Sequence, residues 1–199
     1  MTDVQHPVPE LMKEGDVVDL LVHQHSLIRD MFDEVEHAAP GTRHEPFRRL
    51  VRMLAVHETA EEEIVHPYAR RKLVGGDTIV DNRLQEEEEA KEMLSRLDDM
   101  DVTTPEFSQE LERLRAAVFA HAAAEERYEF SELKASTSEG ERRAMAVGVK
   151  AAEAMAPTHP HPGVESATAN ILMGTPVAIM DRARDLIRKA MGKSESGEG

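Results

Sequence analysis

Two short stretches of the sequence repeat each other and carry side chains of the types that can bind a metal ion. Both read His-x-x-x-Glu, with His57 and Glu61 in the first and His121 and Glu125 in the second. Residues four apart lie on one face of an α-helix, one turn from each other. Each stretch therefore presents an imidazole and a carboxylate in the same direction, as a shared cation would require.

Both pairs stand within regular stripes of apolar residues. The first stripe contains Phe47, Leu50, Leu54, Ile64 and Tyr68, and the second contains Phe107, Leu111, Leu114, Val118 and Tyr128. Spacings of three and four predict helix faces that pack into a core. An ionised carboxylate in such a place is costly unless it is paired or bound to metal. Because the insertion occurs twice, a single shared cause is favoured over two unrelated ion pairs.

The composition predicts an all-α protein. Of the 199 residues 32% are charged and only 4% are aromatic, a mixture that favours helices over strands. The 39 acidic and 24 basic residues give a net charge of −15, which should repel phosphate backbones and anionic lipids. Nucleic acid and membranes are therefore not expected as partners.

The chain has no cysteine, which excludes disulfides, thiolate chemistry, iron–sulfur clusters and cysteine-type zinc sites. Any metal has to be held by histidine, carboxylate or tyrosine side chains. The sequence shows neither a signal-like start nor an apolar run that could span a bilayer, so a cytoplasmic location is expected.

The hydrophobic periodicity divides the chain into helices and connecting segments. Four long helices are predicted at about residues 16–39, 42–72, 77–98 and 104–134. Their short connections indicate an antiparallel up-down-up-down four-helix bundle. Thr42 and Glu45 should form a capping box at the second helix, and Ser138 and Glu141 should cap a shorter fifth helix.

The predicted organisation has five parts. They are a flexible arm at 1–13, the bundle with its short fifth helix at 14–155, a proline-rich linker at 156–176, an amphipathic helix at 177–191 and a disordered tail at 192–199.

An internal repeat relates the two halves of the bundle. The second and fourth helices superpose at an offset of 64, and the first and third at about 62. Two hairpins related by a pseudo-two-fold axis would each supply ligands to one site. The first helix offers His25, and the offset of 62 selects Glu87 from the glutamate run 86–89. At about 100° per residue, Glu87 also lies close to the apolar direction of its helix.

The candidate ligands are thus three histidines and three glutamates: His25, His57, Glu61, Glu87, His121 and Glu125. Nitrogen and oxygen ligands without sulfur suit iron or manganese, and six residues are too many for one ion with open positions. We expect two ions, bridged by Glu61 and Glu125. His25 and His57 would then hold one ion, and Glu87 and His121 the other.

Several polar residues fall outside the predicted inner faces. Glu58, Glu62, Glu63 and Glu126 are expected to be solvated or to contact ligands from outside, and His23, His37, His44 and His66 to lie at the surface. Tyr68 and Tyr128 are expected in the core. Taken alone, His25 would be a hydrogen-bonded core histidine and Glu87 a solvated member of a charge run.

The pattern resembles the hemerythrin-like (HHE cation-binding) family of non-haem di-iron proteins over residues 14–135. Segments 20–25 and 61–67 resemble the family's Leu-Leu-x-x-Asp-His and Glu-Glu-x-x-x-Tyr-Pro runs, and 157–162 resembles tails of actinobacterial members. The resemblance implies an oxo- or hydroxo-bridged pair of iron ions. It departs on the third helix, where Glu87 stands in place of a histidine.

That departure suggests which chemistry to expect. An added carboxylate stabilises ferric over ferrous iron, whereas an oxygen carrier has to rest in the ferrous state. We therefore expect a redox enzyme that turns over hydrogen peroxide or nitric oxide, in the manner of a catalase or peroxidase. The alternatives are a non-catalytic carrier or sensor of oxygen or iron, and a helical interaction module whose polar core sets helix register.

Overall fold

The structure, a computed structural model, describes residues 15–153 together with 178, 181 and 183–185. Its helices are α1 (Val17–His37), α2 (His44–Ala60), α3 (His66–Lys72), α4 (Gly76–Asp98), α5 (Pro105–Ala124), α6 (Phe130–Ser136) and α7 (Glu139–Glu153), with a 3₁₀ turn at Pro40–Thr42. No strand occurs in this part of the chain, which confirms the all-α prediction. The segments predicted as arm, linker and tail, and most of the predicted helix 177–191, lie outside the described residues.

Two π-helical turns join helices that otherwise run on from each other. Glu61–Val65 links α2 to α3, and Glu125–Glu129 links α5 to α6. The two turns stand 64 residues apart, the same offset that relates the sequences of the two segments. A π turn contains one more residue than an α turn, so it rotates every side chain that follows it.

The helices pack as two hairpins. α1 packs on α2, α4 packs on α3 and α5, and α1 also contacts α5, while α7 lies across α1 and α2. Phe47 and Phe107 meet edge to face at the core between α2 and α5, with ring centres 5.0 Å apart. Each buried phenylalanine contributes roughly 1.5–3 kcal/mol. The up-down-up-down order of the whole bundle stays a prediction.

Helix caps set where several of these helices begin. The Ser138 and Glu141 capping box is present: the Ser138 N–H donates to Glu141 Oε2 at 2.8 Å, and the Glu141 N–H donates to Ser138 Oγ at 3.3 Å. The capping box predicted at Thr42 is wrong, because the Thr42 hydroxyl donates to the Ala39 carbonyl within the 3₁₀ turn.

Among the residues that the structure describes, no helix is long and apolar enough to cross a bilayer.

Candidate metal centre

Two overlapping clusters of histidine and glutamate lie in the core at the level of the π turns. The first contains His25, His57, Glu61 and Glu125, and the second contains Glu58, Glu61, Glu87 and His121. Within each cluster the donor atoms lie within 4.8 Å of one another, and every member is buried. Glu61 belongs to both clusters, so the two form one continuous centre.

Glu125 also reaches across this centre. Its Oε2 lies 3.3 Å from His25 Nε2 and its Oε1 lies 3.4 Å from His121 Nε2. His57 Nε2 lies 3.6 Å from Glu61 Oε2. The fold therefore brings all six sequence-predicted residues to one place, with the two predicted bridging carboxylates in the middle.

Many polar atoms of the centre are buried without a hydrogen-bond partner. They include both carboxylate oxygens of Glu61 and of Glu125, one oxygen each of Glu58 and Glu87, and Nε2 of His25 and of His121. Buried polar groups are nearly always paired, and leaving charged ones unpaired is costly. These oxygen and nitrogen atoms converge on one place without hydrogen-bond partners, which fits bound cations, because a cation would coordinate several of them at once.

Each histidine of the two clusters is held from behind by an acceptor. The Nδ1 contacts are His25 with Glu126 at 2.9 Å, His57 with Gln24 at 2.8 Å and His121 with Glu86 at 3.0 Å. A proton on Nδ1 makes each contact a hydrogen bond and leaves Nε2 as a lone-pair donor facing the centre. Metal-ligating histidines are oriented in this way by outer partners.

The carboxyl groups of the centre cannot all ionise without a cation. Burial, followed by Glu125 and Glu58, raises the pKa of Glu61 well above its ordinary value. Burial and then Glu87 raise the pKa of Glu58 to about 8. Burial lowers the pKa of His121, but the carboxylates of Glu125, Glu58 and Glu87 together outweigh it and raise that pKa to about 10. A bound cation would displace the protons that these glutamate and histidine side chains hold in its absence.

Glu58 is a member of the centre that the sequence prediction placed outside it. Its exposed fraction is only 5%, and it faces the second cluster. Glu58 lies against Glu87 of α4 and His121 of α5, while α1 packs on another side of α2, so a single inner face does not describe α2. The available signal was the apolar run at 53–56 just before His57 and Glu58, and all residues at 53–60 are buried.

His66 was predicted at the surface, and that prediction is wrong. It is 2% exposed, with Nε2 2.7 Å from Glu87 Oε1 and Nδ1 3.3 Å from Glu129 Oε1. The π turn before His66 rotates it inward. The π turn at 125–129 likewise turns Glu129 into the core and leaves Tyr128, expected inside, 57% exposed. Regular helical periodicity carries no signal for either change.

The two halves of the centre match residue by residue at the offsets of 62 and 64. The matched pairs are Gln24 with Glu86, His25 with Glu87, Arg29 with Lys91, His57 with His121, Glu61 with Glu125, Glu62 with Glu126, and Phe130 with His66. Phe130 stacks on His25 with ring centres 5.7 Å apart, and His66 takes the same place against Glu87. The centre is thus pseudo-symmetric in position but richer in carboxylates at the second cluster.

Helices that present imidazole and carboxylate groups to a shared interior define a helical cation-binding protein. Residues 16–133 match the family described as the hemerythrin HHE cation binding domain. The chain belongs to that family, whose domains bind metal cations. The fold is also similar to the crystal structure of a hemerythrin HHE cation binding domain-containing protein from Mycobacterium kansasii. That similarity has a TM-score of 0.67 at 17% identity and covers 84% of this chain and 99% of the other.

A relative from Nostoc sp. that is named a DNA nickase is 26% identical over 142 residues. The match covers 71% of this chain but 40% of the relative, so the chain spans about two fifths of the length of that protein. The expectation from net charge that nucleic acid is not a partner is therefore not supported by the comparisons.

Proposed function

We propose that this protein holds two iron ions and disproportionates hydrogen peroxide. The observation that carries the proposal is the pair of buried clusters that share Glu61 and are both reached by Glu125. Nitrogen and oxygen donors without sulfur suit iron. Bound iron would supply one-electron redox changes and Lewis acidity.

The protein residues divide between the two positions. His25 and His57 would hold one ion, Glu87 and His121 the other, and Glu61 would bridge them together with Glu125. Glu58 adds a carboxylate to the second position that the sequence prediction did not include.

The carboxylate-rich second position favours turnover of an oxidant over storage of oxygen. Glu58 and Glu87 occur where the other half has Ala122 and His25. Hard anionic donors stabilise ferric over ferrous iron. An oxygen carrier must rest in the ferrous state, and this set of ligands disfavours that state.

The reaction needs no outside reductant. One peroxide is oxidised to dioxygen and gives up two electrons and two protons, and the second accepts them and becomes two waters. Glu58 and Glu87 each have a buried oxygen without a hydrogen-bond partner. A carboxylate oxygen has two lone pairs, so beside a bound cation it can still accept a hydrogen bond from a peroxide hydroxyl and hold a proton in transit. Nitric oxide has no hydrogen to donate, so these acceptors favour peroxide.

Oxygen evolution tests the proposal. Protein reconstituted with ferrous salt should bind two irons per chain and release one dioxygen for every two peroxides consumed. Glu61→Gln should lose both metal and activity, whereas Glu112→Gln, at an exposed position of α5, should keep them.

Three other outcomes would each support a different function. A chain with two irons that evolves no dioxygen, but binds dioxygen or nitric oxide reversibly, would be a carrier or sensor. A chain that takes up no metal would be an interaction module. Nicking of supercoiled plasmid by the metal-loaded protein without peroxide would favour the activity for which the Nostoc relative is named.

A further inference from the structure

A small cavity lies beside the second cluster, between α2, α4 and α5. Its lining residues are Leu54, Glu58, Glu87, Ala90, Lys91, Leu94, Leu114 and Val118. The volume open to the centre of a water-sized molecule is about 10 Å³, which is close to what one water molecule needs. Glu61 and His121 do not line it, so the cavity adjoins the cluster without being the cation position itself.

The internal repeat shows which side-chain sizes border this space. At the offset of 62, Ala90 matches Ile28 and Leu94 matches Phe32. Ile28 and Phe32 are larger than their counterparts and are buried in the core. At the carboxylate-rich half, α4 therefore has two smaller side chains, and both line the cavity.

The cavity has a mostly aliphatic lining that also contains charged side chains. The charged residues are Lys91, Glu58 and Glu87, and the two glutamates each have one buried oxygen that has no hydrogen-bond partner. Such a space suits a very small neutral molecule that donates hydrogen bonds, and it has no room for an alkyl group.

Two of the lining residues reach the surface. Ala90 and Lys91 are partly exposed while the other lining residues are buried, so the path from solvent passes between them. Lys91 forms an ion pair with Glu62, and its Nζ lies 3.8 Å from Glu87 Oε2. These two interactions hold the Lys91 side chain at the entrance.

We propose that this cavity is the pocket in which hydrogen peroxide binds, and that its size excludes alkyl hydroperoxides. The inference rests on the proposed function for the identity of the oxidant. It assigns substrate entry to the Glu58 and Glu87 side of the centre, away from His25 and His57.

Filling the cavity gives the first test, with a measurement that needs no turnover. The double variant Ala90→Ile with Leu94→Phe installs side chains like those of the opposite half. With Mn²⁺ bound, the longitudinal relaxation rate of solvent protons reports water exchange at the cation. Closing a pocket that holds one water should lower this relaxivity at equal metal content, because the water beside the cation is lost. Ala117→Ile, on α5 away from the cavity, should leave it unchanged.

Enlarging the cavity gives the second test. The ferrous protein is mixed once with hydrogen peroxide or with tert-butyl hydroperoxide. Each peroxide takes two electrons from the ferrous ions and two protons. Hydrogen peroxide then yields two waters, and tert-butyl hydroperoxide yields one water and the alcohol. The native protein should prefer hydrogen peroxide by roughly tenfold or more, as expected when a pocket lacks room for added carbon. Leu114→Ala should lower that preference, and Leu111→Ala, one turn away on the same helix, should not.

The two tests separate the possible failures. If the filled and enlarged variants both behave like their controls, the cavity is not the pocket. If filling lowers the relaxivity but neither hydroperoxide oxidises the ferrous protein, the cavity is the access route and the peroxide chemistry of the proposed function is wrong.

Discussion

Replacing Glu58 with glutamine should stabilise the metal-free protein while weakening its cation site. Burial, followed by Glu87, raises the pKa of Glu58 to about 8 in the folded protein, against an ordinary value of 4.5. The folded chain therefore keeps a proton on this carboxyl group that the unfolded chain releases. Glutamine has nearly the same shape and does not ionise, so it removes this difference.

The size of the effect follows from the pH interval. A raised carboxyl pKa contributes stability that is fully present below the unfolded value and is lost as the pH rises toward the folded value. The loss is about 1.4 kcal/mol for each pH unit. Between pH 4.5 and pH 7 it amounts to ~3 kcal/mol, so Glu58→Gln should gain about that much at pH 7 and almost nothing at pH 4.5.

Urea unfolding of the metal-free protein at the two pH values measures this gain. Glu112→Gln, an exposed glutamate on α5, should show no such pH-dependent gain. A Glu58→Gln protein that is no more stable at pH 7, or equally stabilised at both pH values, would refute the buried, carboxylate-surrounded environment of Glu58. Elemental analysis after reconstitution should show less iron in the same variant.

Three further predictions concern the cation ligands and their support. Glu61→Ala should lose both cations together, because Glu61 belongs to both clusters; retention of one ion would make it a terminal ligand. Glu87→His should raise the reduction potential and lower peroxide turnover, whereas Glu88→His, at an exposed position, should match the parent in potentiometry. An unchanged potential would remove Glu87 from the ligand set. His66→Leu should weaken binding of the second cation by roughly 10- to 100-fold, because Glu87 loses the 2.7 Å contact that orients it. Equal affinities in a Mn²⁺ titration would show that His66 only fills space.

The sequence by itself determined the helices and the positions from which the centre is built. Stripes at spacings of three and four predict helices whose inner faces carry His57 and Glu61, and the internal repeat adds His25 and Glu87. This works because 3.6 residues per turn fixes which side chains share a face wherever a helix is regular. The structure places these side chains together at one level of the core.

Tertiary structure decided the rest. Glu58 is buried because α4 and α5 pack against its face of α2, and packing between distant helices leaves no local pattern in the sequence. His66 and Glu129 turn inward because π turns add a residue where the periodicity assumes none. The cavity exists because Ala90 and Leu94 meet side chains of α2 and α5 that do not fill the space they leave. Volumes of this kind depend on how three helices meet, which no single helix pattern specifies.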